Sequence, residues 1–108
     1  MAANIVHPLK KPAPTDRRLP RVFAYDIKDD HQRARVAKVL EAVGDRIQYS
    51  VFRADLDDDG VLAVLVRIER RINLGTDRVH VFTLCSGCLG RTRTLGLDPP
   101  IVQEFDLE

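Results

Sequence analysis

The chain has 108 residues, 44% of them hydrophobic and 31% charged, and its 17 basic and 16 acidic side chains leave a formal charge of +1. This length and composition point to one soluble globular domain and exclude disorder throughout, because Val, Leu and Ile are plentiful enough to build a core. No apolar run approaches the roughly 18 residues of a membrane helix. Pro8, Lys10, Lys11, Pro12 and Pro14 interrupt any secretory signal, so a cytoplasmic chain with reduced thiols is expected.

The near-neutral total conceals an uneven distribution. Residues 1–20 hold Lys10, Lys11, Arg17 and Arg18 against Asp16, together with four of the six prolines, and read as a flexible proline-rich arm. Residues 97–108 hold no base and four acids (Asp98, Glu104, Asp106, Glu108), and read as an acidic tail behind the breaker Asp98-Pro99-Pro100. The compact domain is then residues 21–96, which contain 11 arginines. A balanced charge gives no bulk attraction to a polyanion, so nucleic-acid binding would require these bases on one surface. Arginine suits bidentate phosphate contacts.

Along the chain, Val22-Phe23-Ala24-Tyr25-Asp26-Ile27 is β-rich and predicts a central strand. Asp29 or Asp30 caps a helix from about His31 to Val43, closed by Gly44, with Val36, Ala37, Leu40 and Val43 on its buried stripe. Residues 46–55 lack helix signals and alternate, which predicts two short strands broken near Tyr49-Ser50. A second helix follows Asp57, Asp58 or Asp59, its buried stripe given by Val61, Leu65, Ile68 and Ile72 and widened by Leu62. Arg67, Arg70 and Arg71 load its last turns with the sign the helix dipole favours. Residues 78–84 predict a further strand, and residues 92–96 a fifth. The order β-α-β-β-α-β is that of an α+β, ferredoxin-like sandwich with an extra C-terminal strand. Two helices cover one sheet face. A small core with its other face uncovered predicts a homodimer with sheets facing.

Several clusters invite chemistry. Asp55-Leu56-Asp57-Asp58-Asp59-Gly60 imitates the start of a calcium loop, but the position of the bidentate Glu is Val66, so helix capping is the better account. Cys85-Ser86-Gly87-Cys88 is a single CxxC: either a turn with two reduced thiols, or half of a zinc site shared between two chains. Asp26 ends an otherwise apolar strand, where a carboxylate must be exposed, paired or bound to a cation. A two-fold axis would bring a second Asp26 opposite the first. Two facing carboxylates repel, which raises one pKa or recruits a divalent ion; magnesium there would polarise a phosphodiester and activate a bound water. The plain alternative is an acid that caps the following loop.

The run Val22-Phe23-Ala24-Tyr25-Asp26-Ile27, then Asp29-Asp30, Arg33, Arg35 and Arg46-Ile47-Gln48-Tyr49-Ser50-Val51-Phe52 resembles the small CRISPR-associated endonuclease of the adaptation module, the partner of the CRISPR integrase. The stretches around Leu84-Cys85, Cys88 and Leu95-Gly96 are also similar. The resemblance implies a ferredoxin-like homodimer in spacer acquisition that bridges integrase dimers and holds duplex DNA by its backbone. It also implies a magnesium- or manganese-dependent nuclease on single-stranded RNA or duplex DNA. By residue, it implies Asp26 as the metal-binding acid, catalytic together with Tyr25 beside it. Arg33, Arg35 and Arg46 become nucleic-acid contacts, and Ser50 and Phe52 interface and site residues. The longer proline-rich arm and the acidic tail depart from the family pattern. Exchange of residues 92–96 onto a partner is a further family trait. Alternatives are a toxin-like endoribonuclease on the same fold and a catalytically silent nucleic-acid-binding assembly module.

Overall fold

In the computed structural model, which describes residues 18–96, the chain runs β1 (Leu19–Asp26), α1 (Asp30–Glu41), β2 (Asp45–Gln48), β3 (Val51–Leu56), α2 (Asp58–Glu69), β4 (Arg78–Thr83) and α3 (Ser86–Gly90). The four strands form one antiparallel sheet in the order β2-β3-β1-β4. This is the α+β sandwich expected from the element order. The rest of the expected arm and the acidic tail lie outside the described residues.

The caps fall where the sequence places them. Asp29 accepts a hydrogen bond from the Gln32 amide at 2.9 Å and starts α1. Asp57 accepts one from the Gly60 amide at 2.7 Å and starts α2, so the calcium-like segment is spent on a cap. The break at Tyr49-Ser50 is a turn between β2 and β3. At Gly44 a side chain is excluded by close approach: a Cβ there would stand 2.1 Å from the Arg53 carbonyl oxygen.

Strand alternation sorts the sheet into two faces. Arg21, Phe23 and Tyr25 of β1 turn toward the helices, whereas Val22, Ala24 and Asp26 turn away. Phe23 pairs in register with Phe52 on one side and Val81 on the other. Phe23, Phe52, Val36, Leu40 and Ile68 are fully buried between this face and α1 and α2. Each such side chain contributes about 1.5–3 kcal/mol through burial.

Three expectations change. β1 begins at Leu19, so Leu19 and Pro20 of the expected arm are strand residues, paired with Leu56 and Asp55. In α2 the fully buried pair is Val64 and Ile68; of the expected stripe Leu65 and Ile72 also pack against the core, Ile72 from past the helix end, while Leu62 is 36% exposed. Residues 92–96 form no strand: after β4 the chain turns into α3, and these residues pair with none of the four strands.

Candidate active site and nucleic-acid interface

Tyr25 and Asp26 are adjacent in β1 and therefore point to opposite faces. Tyr25 is 7% exposed, packed on the helix side near Phe52 with ring centroids 6.3 Å apart. Burial raises its phenol pKa above the ordinary value, against the opposing pull of nearby Arg46. The Asp26 side chain is 66% exposed on the uncovered face, 3.7 Å from the Lys28 ammonium and in register with Arg78. Strand geometry thus sets the two side chains on opposite faces of the sheet. Tyr25 is a core residue, and the surface acid stands without it.

Phe52 lies opposite Phe23 on the helix side with no exposed surface in the single chain. Ser50 sits in the β2–β3 turn, half-buried, and its carbonyl accepts the Tyr25 amide at 3.1 Å. The uncovered face instead presents Val22, Ala24 and Val51 with Phe82, which is 53% exposed and stacked on His80.

A divalent cation finds too few donors among the described residues of one chain. Asp26 offers a single carboxylate, and a cationic side chain already stands beside it. Among the described residues, no three His, Cys, Asp or Glu side chains gather to hold a metal. The described residues of a single chain therefore do not by themselves fit magnesium or manganese.

The three expected nucleic-acid arginines are placed differently from one another. Arg33 donates to the Ile27 carbonyl at 2.8 Å and pairs with Asp30, pinning the loop after β1 to α1. Arg46 donates to the Tyr49 carbonyl at 2.6 Å, lies 3.6 Å from Glu41 and rests its guanidinium 4.9 Å above the Phe52 ring. Arg35 is exposed and lines a groove of about 610 Å³ between α1 and α2. Lys38, Arg67, Arg70 and Arg71 line it too, over a floor of Val39 and Ala42. The sequence showed these bases one helix at a time; their convergence depends on how the helices pack.

Two buried charged residues were also missed. Arg21 is satisfied on all sides: by the Leu56 carbonyl, the Thr83 hydroxyl and Asp58, each at 3.0 Å. Asp77 accepts the Asn73 amide at 2.9 Å and the Lys28 amide at 3.1 Å, which ties the loop after β1 to the loop before β4. The Asn73 bond first, then the Lys28 bond, hold its carboxyl below the usual range. Cys85 caps α3, and its sulfur accepts the Cys88 amide at 3.3 Å. That backbone bond, with a second from the Cys88 side chain, lowers the Cys85 thiol pKa. Both cysteines are free and exposed.

Comparison with known proteins decides the family. The family model for CRISPR-associated protein Cas2 matches residues 21–92. The chain is a member of the Cas2 family. It is 40% identical over 80 residues to a Thermus thermophilus protein named CRISPR-associated endoribonuclease Cas2, covering 74% of this chain and 85% of that one. A Cas2 from Rhodospirillum rubrum, also named an endoribonuclease, is 36% identical over 75 residues; the match covers 69% of this chain and 60% of that relative. Among solved structures, a hypothetical protein from Thermus thermophilus superposes with a TM-score of 0.69 at 32% identity, covering 79% of this chain and 96% of that one. Streptococcus pyogenes Cas2 shares the fold, with a TM-score of 0.66, 24% identity and coverage of 72% and 100%. Among the described residues, no helix of this Cas2 is long and apolar enough to cross a membrane.

Proposed function

We propose that this Cas2 protein serves CRISPR spacer acquisition as a homodimeric scaffold that binds duplex DNA by its backbone and bridges copies of the CRISPR integrase. The observation that carries this reading is the uncovered sheet face. Val22, Ala24 and Val51 are only half-buried there and Phe82 is 53% exposed, while α1 and α2 pack the other face. A second copy applied through a two-fold axis covers this surface with its own counterpart, the sheets about 10 Å apart. Sedimentation equilibrium tests the arrangement. The wild type is expected to be dimeric at micromolar concentration and Phe82→Asp to be monomeric; a monomeric wild type overturns the reading.

Nuclease activity is the second reading, favoured by Asp26 standing exposed on that same face and by the names of the relatives. On this reading the activity belongs to the dimer, with one Asp26 from each copy and magnesium or manganese at the composite site, since the described residues of one chain gather no metal-ligand cluster. Single-stranded RNA and duplex DNA are the substrates to assay. Asp26→Ala separates the readings. Lost cleavage with retained spacer acquisition in cells supports the scaffold. Acquisition lost while the complex still assembles makes hydrolysis the essential role.

A further inference from the structure

α3 buries one side chain, Leu89, and leaves two thiols, Cys85 and Cys88, free and exposed. A cysteine kept for packing is buried and inert; these two add nothing to the core. They are also held together. The first turn of α3 sets the Cys88 amide on the Cys85 sulfur at 3.3 Å, and the Cys88 thiol donates to the same sulfur. We infer that Cys85 and Cys88 form a reversible thiol–disulfide exchange site whose substrate is a small soluble disulfide, with Cys85 as the attacking sulfur and Cys88 as the resolving one.

The geometry favours an internal bond. Three residues along a helical turn separate Cα atoms by about 5 Å, inside the roughly 4.4–6.8 Å that a disulfide spans. Because the sulfurs already face each other, closure needs side-chain rotation and no movement of the chain. The backbone fixes the pair from both ends. The Leu84 amide donates to the Pro20 carbonyl of β1 at 2.9 Å, the Leu89 amide to the Cys85 carbonyl at 2.9 Å, and the Thr92 hydroxyl to the Cys88 carbonyl at 3.0 Å. Gly87 keeps the attacking sulfur accessible: a Cβ there would stand 3.7 Å from Cys85 Sγ, so glycine leaves that flank open to an incoming disulfide.

The two thiols are not equivalent. Cys85 receives both hydrogen bonds, so its charged form is the favoured one, and the Cys88 amide first, then the Cys88 thiol, hold it below the ordinary value. Residues 78–97 carry Arg78, Arg91 and Arg93 and no acid, a local sign that suits a thiolate and an anionic disulfide alike. In the first step the Cys85 thiolate attacks one sulfur of the substrate RSSR; the Cys85–SR bond forms, the RS–SR bond breaks and RS⁻ leaves. The Cys88 thiolate then attacks Cys85 Sγ, the internal bond forms and the second RS⁻ leaves. The protons given up by the two cysteines end on the two RS⁻ ions, so the protein dithiol is oxidised as one disulfide is reduced to two thiols. Asp26 and the uncovered sheet face contribute no residue to this site, which is therefore independent of the function proposed above.

Glutathione disulfide, added to the reduced full-length chain, tests the site. The wild type is expected to release two glutathiones per chain and to lose two hydrogens by intact mass, with no bonds between chains, and excess dithiothreitol should restore both thiols. Cys88→Ser keeps the amide and a donating hydroxyl, and should stop at one mixed disulfide on Cys85. Cys85→Ser should react at Cys88 about threefold or more slowly at neutral pH, because the thiolate gained at Cys85 outweighs the nucleophilicity it loses. A wild type that retains both thiols, ends with two mixed disulfides or links chain to chain overturns the proposal, as does Cys88 reacting as fast as Cys85. Metal analysis supplies another such result: zinc at about one ion per two chains, with exchange restored only by a chelator, assigns the pair to a metal shared between copies instead.

Discussion

The helix side of this molecule and the uncovered sheet face treat arginine in different ways, and the contrast separates structural charge from available charge. Under α2, Arg21 is buried and every direction of its guanidinium is satisfied. On the uncovered face Arg53 lies 3.2 Å from Asp55, within the same strand. On the outer surface of the helices, the groove bases have no such carboxylate among the described residues. A count of arginines could not have drawn this distinction, since all three kinds look alike in the sequence. Pairing is what distinguishes an arginine that holds the fold from one free to hold a ligand.

The sharpest way to break the contrast is to remove what both faces share. Phe52→Ala empties the centre of the core and should cost about 3–5 kcal/mol, measured by urea unfolding. Gly44→Ala forces a methyl against the Arg53 carbonyl and the Ala54 backbone; about 1–3 kcal/mol of destabilisation is expected from the displaced strand. The neighbours in β1 then test the faces separately. Asp26→Asn changes an exposed side chain, so stability should stay within about 0.5 kcal/mol while cleavage is lost. A large loss of stability in Asp26→Asn would place that acid in the core framework instead.

Acid sharpens the comparison through the loops. Because the folded Asp77 carboxyl titrates below its ordinary value, its stabilisation is complete above the unfolded value of about 3.9. It is lost as the pH falls from there through the folded value. Melting temperature should therefore drop over that acid interval, and Asp77→Asn should show a flatter acid limb. The smallest effect is expected at α3: iodoacetamide near neutral pH should modify Cys85 faster in the folded protein than in urea, since the bonds from Cys88 that favour its thiolate vanish on unfolding.

Much of the fold could be read from local pattern. Asp29 and Asp57 act as caps because a short side-chain oxygen satisfies a nearby amide, which depends on a few adjacent residues. The break at Tyr49-Ser50 and the alternation of β1 are equally local. What stayed hidden depends on distant partners. Arg21 and Asp77 gain their roles from residues as far away as Thr83 and Lys28. The groove joins bases on two helices about one strand pair apart in sequence, so only Arg35 of its five was singled out as a nucleic-acid contact. Strand parity follows from alternation by itself: it sets Tyr25 and Asp26 on opposite faces and Phe52 on the helix side. Residues 92–96 have β-forming composition, but a strand exists only where a neighbouring strand accepts its hydrogen bonds.

The chain has two tyrosines and no tryptophan, and the fold sends the two phenols to contrasting surroundings: Tyr25 inside the core and Tyr49, 77% exposed, at the tip of the β2–β3 turn. The native protein thereby carries a matched pair of intrinsic optical reporters. Phenylalanine at position 49 would leave an absorbance and emission signal that follows the packed interior, and phenylalanine at position 25 would leave one that follows the solvent-facing turn, without any extrinsic dye.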